Sequence, residues 1–379
     1  MAQIRGLFDC FASLKDPRQL NKVLYPLPEI LLLLLAATLA GADDCVEICV
    51  WGEQHIDLLR RFRPYKRGIP SHDTLGDLLA ALDPAAFRAC FAAWVDGLRA
   101  AYAVPETDLD IIAVDGKTSR RSHNRGRGQE PLHLLSAWAC RNRLVIGQQA
   151  TASKANEAST IPLLLEHLAL AGALVTIDAG GATTRIAQTV LDRGGDYLLG
   201  LKKNRPALFA ATEALFADPA LILAEHVTEE TAHGRHERRR HLVCHAVDWI
   251  NPTRAETDSI RFPGVAMLGM VESTVTRDGQ TSCERRYYVG SAPLDAATFG
   301  RAVRAHWGIE NHLHWTLDVV FHDDLARLRT QNAPENMAII KHMALNCLRS
   351  AKPTTSLKNR RKLAGWSPDY LEQLIKGHA

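Results

Sequence analysis

Apolar residues recur at helical spacing through the first hundred or so positions, with no strand-like alternation to compete. The densest run is Ile30 to Ala42, thirteen residues between Pro28-Glu29 and Asp43-Asp44. A membrane span takes about 20 apolar residues. This run therefore predicts a buried core helix, with Pro28 and Glu29 in its first turn. Val46 to Phe62 continues the spacing. Ser71 is placed to cap one helix, and Asp83, just ahead of Pro84, to cap the next. Arg60 to Gly68 (RRFRPYKRG) breaks the pattern as a basic loop, either a solvated connection or a phosphate-contacting edge.

The pattern changes near residue 108. DIIAVDG reads as a strand ending at Asp115-Gly116, and LHLLSAWAC and RLVIGQQAT as two more, joined at Arg141-Asn142. STIPLLLEHLALAG reads as a helix closed by Gly172. ALVTIDAGG is then a strand ending in Asp178, TTRIAQTVLDRGG a helix, DYLLGLKKN a fifth strand and RPALFAATEALFA a helix. Strands alternating with helices after an initial hairpin predict a mixed α/β sheet. From about 224 to 291 alternation returns, with a turn at Asp278-Gly279, and predicts a β-rich insertion. Helical spacing resumes from Asp295.

Composition narrows the classes. The 379 residues are 46% hydrophobic and 23% charged, with net charge +3. That excludes a disordered or collagen-like chain, and the charge sum alone does not announce a polyanionic partner. Eight cysteines, none spaced CxxC, read as packed thiols rather than a disulfide scaffold. No export leader precedes Cys10, so the expected location is cytoplasmic, with no membrane partner.

Asp115 and Asp178 each end a predicted strand, at the sheet edge where α/β proteins bind ligands. Two carboxylates there repel unless they share a proton or a cation, and a hard dication such as Mg²⁺ is the usual resolution. Taken singly, Asp115-Gly116 reads equally as a hairpin turn and Asp178 as a loop cap. A two-ion site needs a third carboxylate. Glu310 in RAHWGIENHLHWTLD is the candidate. On a regular helix, His306, Glu310 and His314 would share one face, although a partly buried helix with satisfied polar groups fits as well. Gly116-Lys117-Thr118 is not a phosphate-binding P-loop, because Ile111 stands where that motif needs glycine. HGRHERRRHLVCH is rich in histidine but matches no zinc spacing. Basic clusters follow the carboxylate strands: Lys117, Arg120, Arg121, Arg125 and Arg127, then Lys202, Lys203, Asn204 and Arg205. Others lie at Arg235 to Arg240 and between Asn336 and Pro368. Such clusters beside a metal site would bind a polyanion.

Taken together, AVDGKTSRRS, TIDA, GGDYLLGLKKNRPAL, HGRHERR, RAHWGIENHLHWTLDVVFHDD and NMAIIKHMALNCLR resemble the DDE transposases of bacterial insertion sequences, the group that includes the H-repeat-associated proteins. The resemblance covers nearly the whole chain. It implies an α/β fold: an RNase H-like mixed sheet flanked by helices, with a β-rich insertion, preceded by a helical N-terminal domain. On that scheme residues 1–105 are helical and serve DNA binding or dimerisation. Residues 106–350 are catalytic, with the insertion at about 220–293, and residues 351–379 form a basic C-terminal tail.

The resemblance also implies that Asp115, Asp178 and Glu310 are the catalytic triad and hold two Mg²⁺ ions, with Mn²⁺ as the substitute. One ion would activate water, or later a DNA 3′-hydroxyl; the other would stabilise the leaving oxygen. The implied partner is double-stranded DNA, both element ends and target, bound by a homodimer in the bacterial cytoplasm at the nucleoid. Expected DNA contacts are Lys117, Arg120, Arg121, Lys202, Lys203, Asn204, Arg235, Arg304, His306 and Asn311. Two departures stand out. His306 and Leu317 stand where related transposases carry Arg and Lys around the last carboxylate, and AGGATT follows Asp178 in place of something closer to Met-Gly-Cys-Gln. Two other classes share these residues: a DNA-binding derivative that no longer transposes, against which the intact triad speaks, and a metal-dependent nuclease that does not join strands.

Overall fold

The computed structural model describes residues 6–101, 109–124, 126, 128–218, 223–232, 234–251, 260–351 and 355–377. Arg125, Arg127 and the expected domain boundary at 105/106 lie outside them, as does residue 220, the expected start of the insertion. The chain gathers into two discontinuous units. One comprises Met1–Val104, Gly116–Lys154 and Glu310–Ala379; the other comprises Pro105–Asp115 and Ala155–Ile309. This grouping differs from the linear division at 105 and 350, because the C-terminal helices pack on the N-terminal ones.

The first unit is built around α2 (Leu27–Ala40), in which every residue from Ile30 to Ala37 has no exposed surface. A helix apolar on all sides must be covered on all sides. Its neighbours are α1 (Leu7–Ser13), α3 (Cys45–Gln54), α12 (Ala333–Ser350), α13 (Leu357–Trp366) and α14 (Pro368–Lys376). Its few polar groups are paired. Thr38 donates to the Leu34 carbonyl, and the buried Glu29 accepts from the Tyr65 backbone while the Tyr65 hydroxyl donates to the Glu29 carbonyl. Gly41, at φ 113°, closes the helix in the left-handed region. After the short α4 (Ile56–Arg60), Ser71 and Asp83 cap α5 (His72–Ala81) and α6 (Pro84–Ala101) as expected.

Residues 351–379 are not a free tail. Arg361 on α13 is buried and donates to the carbonyls of Thr38, Ala42 and Val320 and to Asp43. Its partners include the open carbonyls at the end of α2, which a guanidinium's several donors satisfy together. Asn336 on α12 does the same for Leu79 and Leu82. The hairpin β2 (His133–Ala139) and β3 (Leu144–Thr151) belongs to this unit, and β3 is covered by α6 and α12. Its register shifts between Ala137 and Trp138, and the Asn346 side chain pairs with both the N–H and the carbonyl of Val145 in place of a strand.

The second unit holds most of β1 (Asp110–Thr118), then β4 (Ala173–Ile177) and β5 (Asp196–Leu201), all parallel. Between them run α7 (Glu157–Leu165), α8 (Thr184–Asp192) and, after β5, α9 (Pro206–Ala217). α7 stops seven residues short of Gly172, which instead takes φ 73° in the loop before β4. The expected insertion is not a separate body. Its strands β6 (Ala224–Ala232), β7 (Arg235–Cys244), β8 (Met267–Arg277) and β9 (Gln280–Gly290) form an antiparallel meander, and β9 pairs with β5. Asp278 and Gly279 both have positive φ at the predicted hairpin turn. The sheet order is β3-β2-β1-β4-β5-β9-β8-β7-β6. The fold is thus a mixed α/β sheet of nine strands flanked by helices, with a helical N-terminal region, as the RNase H-like resemblance implies. α10 (Ala296–His306) closes the second core through Phe299, Ala302 and Val303, against Leu174, Val243 and Met267. Gly269 lets the Phe299 ring approach; a Cβ there would lie 2.6 Å from it.

Among the described residues no single helix is long and apolar enough to cross a membrane. If α2 organises the first unit, Leu33→Ala should lower unfolding stability by about 2–5 kcal/mol in a denaturant titration. Leu24→Ala, at a side chain 61% exposed, should stay within about 0.5 kcal/mol.

Candidate active site

β1 and β4 pair in parallel as far as Val114 and Ile177. Asp115 and Asp178 are the next residue on each chain, so both carboxylates leave the same sheet edge from neighbouring strands, which lie about 4.8 Å apart. Asp115-Gly116 is not a turn, because β1 continues to Thr118 after parting from β4. Asp178 does cap a short 3₁₀ turn, Ala179–Gly181: its Oδ1 accepts from the Gly180 N–H at 3.0 Å. That turn is braced from the end of β5. Asn204 Nδ2 donates to the Ala179 carbonyl at 2.8 Å, and Arg205 Nε to the Ala182 carbonyl at 2.9 Å. A Cβ on Gly181 would fall 2.3 Å from Ile177 Cγ2, which accounts for glycine in the AGGATT departure. Asn204, expected on DNA, is thus a positioning group for the Asp178 turn.

His306 ends α10 and packs on β4. Its Nδ1 lies 3.0 Å from Thr176 Oγ1, and Thr176 precedes Asp178 by two places. Burial pushes its pKa down, against the opposing pull of the Asp178 charge, so the ring is neutral near pH 7. A half-buried imidazole held against Thr176 is not the open DNA contact that the sequence suggests. Beyond α10 the helix does not continue regularly. Ile309–His314 is a π turn, and α11 (Trp315–Val319) follows. The wider turn breaks the face that His306, Glu310 and His314 would have shared. Ile309 and Leu313 anchor the turn with no exposed surface, while Glu310 and Asn311 are exposed. Asp115 and Asp178 belong to one unit, and Glu310 opens the last segment of the other. All three candidates offer carboxylate oxygens, the donor type that suits a hard dication. Among the described residues no three His, Cys, Asp or Glu side chains group closely enough to hold a metal ion.

Lys117 is not available to DNA. Its Nζ lies 2.7 Å from Asp318, 3.1 Å from Asp323 and 3.4 Å from Asp324. Asp323 is buried and also accepts from Lys341 at 2.8 Å and from the Ser119 hydroxyl at 2.6 Å. Burial alone would raise the pKa of Asp323, but Lys341 and Lys117 outweigh it and hold the carboxyl well below the usual carboxylate range. At Asp318 burial prevails over Lys117 and the pKa goes up, so the network is tightest at Asp323. The sequence offered only the Asp323-Asp324 pair as a signal. Arg120 pairs with Asp324 at 3.2 Å from an exposed position, and the Arg121 carbonyl accepts from Arg329.

The insertion arginines, and Arg304 on α10, also have acidic neighbours. Arg235 pairs with Glu237, Arg238 with Glu229, Arg240 with Glu225 and Glu272, and Arg304 with Glu230. β7 carries most of these arginines and its neighbours β6 and β8 most of the glutamates, so the pairing runs largely across strands. Arg235 and Arg304 nevertheless stay largely exposed, so these pairs offset part of their charge without closing them to solvent. Lys202 and Lys203 are exposed.

A pH series tests the Asp323 network. In the unfolded chain an aspartate takes up a proton near about pH 3.9. The stability Asp323 contributes is therefore complete above about pH 5 and is lost as pH falls below about 4 towards its depressed folded value. Asp323→Asn should cost about 3–5 kcal/mol at pH 7 by leaving buried lysine charge uncompensated. It should also flatten the acid limb of unfolding free energy against pH; a limb of unchanged steepness would mean that Asp323 does not carry the network.

Two family models match the chain: the DDE_Tnp_1-associated region over residues 8–95 and the Transposase DDE domain over residues 106–347. A solved piggyBac transposase synaptic complex with hairpin DNA aligns over 97% of this chain and 80% of that one, at TM-score 0.45 and 9% identity, a likeness too distant to specify fold or function. Curated relatives are much nearer. YbfL of Escherichia coli (strain K12) is 35% identical over 99% of both chains. The H repeat-associated YhhI of the same strain is 34% identical over 99% of both. YncI of Escherichia coli O157:H7 is 35% identical over 98% of this chain and 95% of its own. With relatives matching end to end and the domain model covering both strand-end aspartates and Glu310, the chain belongs to the DDE transposase family.

Proposed function

We propose that the protein binds the ends of an insertion element and cleaves and joins DNA strands there, with Asp115, Asp178 and Glu310 as the metal-holding carboxylates. The observation that carries this reading is the departure of Asp115 and Asp178 from adjacent parallel strands at one register position, in a chain of this family. A divalent ion, Mg²⁺ or Mn²⁺, would supply polarisation of the phosphodiester and of the attacking oxygen. The chain's own residues set the frame. The Gly180 N–H fixes one oxygen of Asp178, and Asn204 and Arg205 hold the turn that carries that N–H. His306, kept neutral by burial, supports β4 without adding a competing cation beside Asp178.

Arg120, Arg121, Lys202, Lys203 and Asn311 keep their exposed positions and remain the proposed contacts to double-stranded DNA, as element end or target. An element has two ends, so the working form on this reading is a homodimer on DNA, acting at the nucleoid in the cytoplasm. Of the Arg60–Arg67 loop, Arg60 pairs with Asp57, Arg61 with Glu372, and Arg63 lies over the Phe8 ring, which leaves Lys66 and Arg67 as its foremost phosphate-facing candidates.

The test is a cleavage and strand-transfer assay with full-length protein, element-end DNA and Mg²⁺ or Mn²⁺. Asp115→Asn, Asp178→Asn and Glu310→Gln should each reduce cleavage by more than about 100-fold, beyond the effect of losing a supporting partner of a metal ligand. DNA binding should persist in all three. Cleavage without joining would identify a nuclease, and binding with neither would identify a DNA-binding derivative.

A further inference from the structure

Buried cations such as Lys341 and Arg361 each have a carboxylate that accounts for them, but one cluster in the first unit does not. Arg349, near the end of α12, donates through Nη2 to the His312 carbonyl at 2.7 Å, and its guanidinium lies over the Trp138 ring, 4.7 Å from the centroid. Its Nε is buried and has no hydrogen-bond partner. The charges acting on it are those of Arg143 and Arg360, and both are cations. Arg143 stands at the β2–β3 turn with φ 55°, a left-handed conformation that an arginine adopts only at a cost, and its side chain is exposed. Arg360 donates to the carbonyls of Leu348 and Thr355. No carboxylate among the described residues pairs with any of these three arginines. His312, within the π segment that carries Glu310, feels two of the three, Arg143 and Arg349.

Three guanidiniums gathered around a half-buried position oppose folding unless something negative joins them. Burial, with Arg143 and Arg360 next, pulls the Arg349 pKa down to about 9. Arginine presents a planar fork of donors that matches a phosphate group better than any other side chain does. We propose that Arg349 and Arg143, in the field of Arg360 and His312, form an anion site that takes a backbone phosphate of bound DNA beside the Glu310 turn. This rests on the DNA reading above and adds to it a phosphate subsite fixed to the same stretch of chain as Glu310. The exposed guanidinium of Arg143 supplies the donors, and the half-buried Arg349, its plane held by the Trp138 ring and the His312 carbonyl, adds its charge to the site.

Arg143→Ala is the informative variant, since its side chain stands on an exposed turn and is not part of the packed core. Arg349→Met keeps the length over Trp138 and serves as the second. Binding of wild type and variants to an element-end duplex is measured across a salt series, without catalysis. The slope of log affinity against log salt should fall by about 0.9 in Arg143→Ala, the change expected when one phosphate is no longer neutralised. An unchanged slope and affinity would overturn the proposal. In a second arm, inorganic phosphate is titrated against thermal unfolding. If phosphate stabilises the wild type but not Arg143→Ala while the duplex slope is unchanged, the site serves free phosphate and the DNA assignment falls. If the slope falls yet the protein cleaves no DNA, the phosphate subsite stands and the catalytic reading fails by itself.

Discussion

Asp323 is a buried carboxylate, and the groups that compensate its charge hold the segment after the Glu310 turn in the first unit. An isolated carboxylate in such a position would be neutralised or would prevent folding. Lys117, Lys341 and Ser119 together make it tolerable. These groups come from the stretch that follows Asp115, from α12 and from the loop after β1, and the acceptor lies just beyond the Glu310 turn. One compensated charge therefore fastens the downstream side of that turn to the core of its unit. Hydrophobic packing alone would allow the segment to slide; a buried ion network with fixed donor directions does not.

The elements that depend on local pattern were readable in advance. The all-apolar Ile30 to Ala42 run had to be a buried helix, Ser71 and Asp83 had to be caps, and Asp278-Gly279 had to turn a hairpin. Asp115 and Asp178 were readable as strand-end carboxylates because hydrophobic runs stop there. What escaped reading depends on interactions between distant residues. The π turn at Ile309–His314 leaves no trace in apolar spacing, since Ile309 and Leu313 suit a regular helix equally well. The C-terminal segment looked like a basic tail because Arg361 gives no sign that it will be buried against the end of α2.

Charge was the property most misread. A run of arginines such as Arg238 to Arg240 suggests an open basic face, but a β-strand lies between two neighbours, and those neighbours carry glutamates. Local density of like charge says little until the partners across the strand are known. Lys117 was misplaced for the same reason: its acidic partners lie some two hundred residues away in sequence. The arginines that the fold leaves without a carboxylate, such as Arg349, are not where the sequence is most basic.

The two edges of the nine-stranded sheet are treated very differently. β3 lies under α6 and α12. β6 is the other edge and is exposed along nearly its whole length, with Glu225, Glu229 and Glu230 upon it. An open strand invites another strand to extend the sheet, and proteins blunt that tendency with charge. A second copy of the chain meeting this edge would find the same row of unpaired backbone groups that draws strands together in runaway pairing. Each of these glutamates is already engaged by an arginine of β7 or α10, so an approaching strand meets a row of ordered ion pairs that would have to be desolvated before the backbones could join.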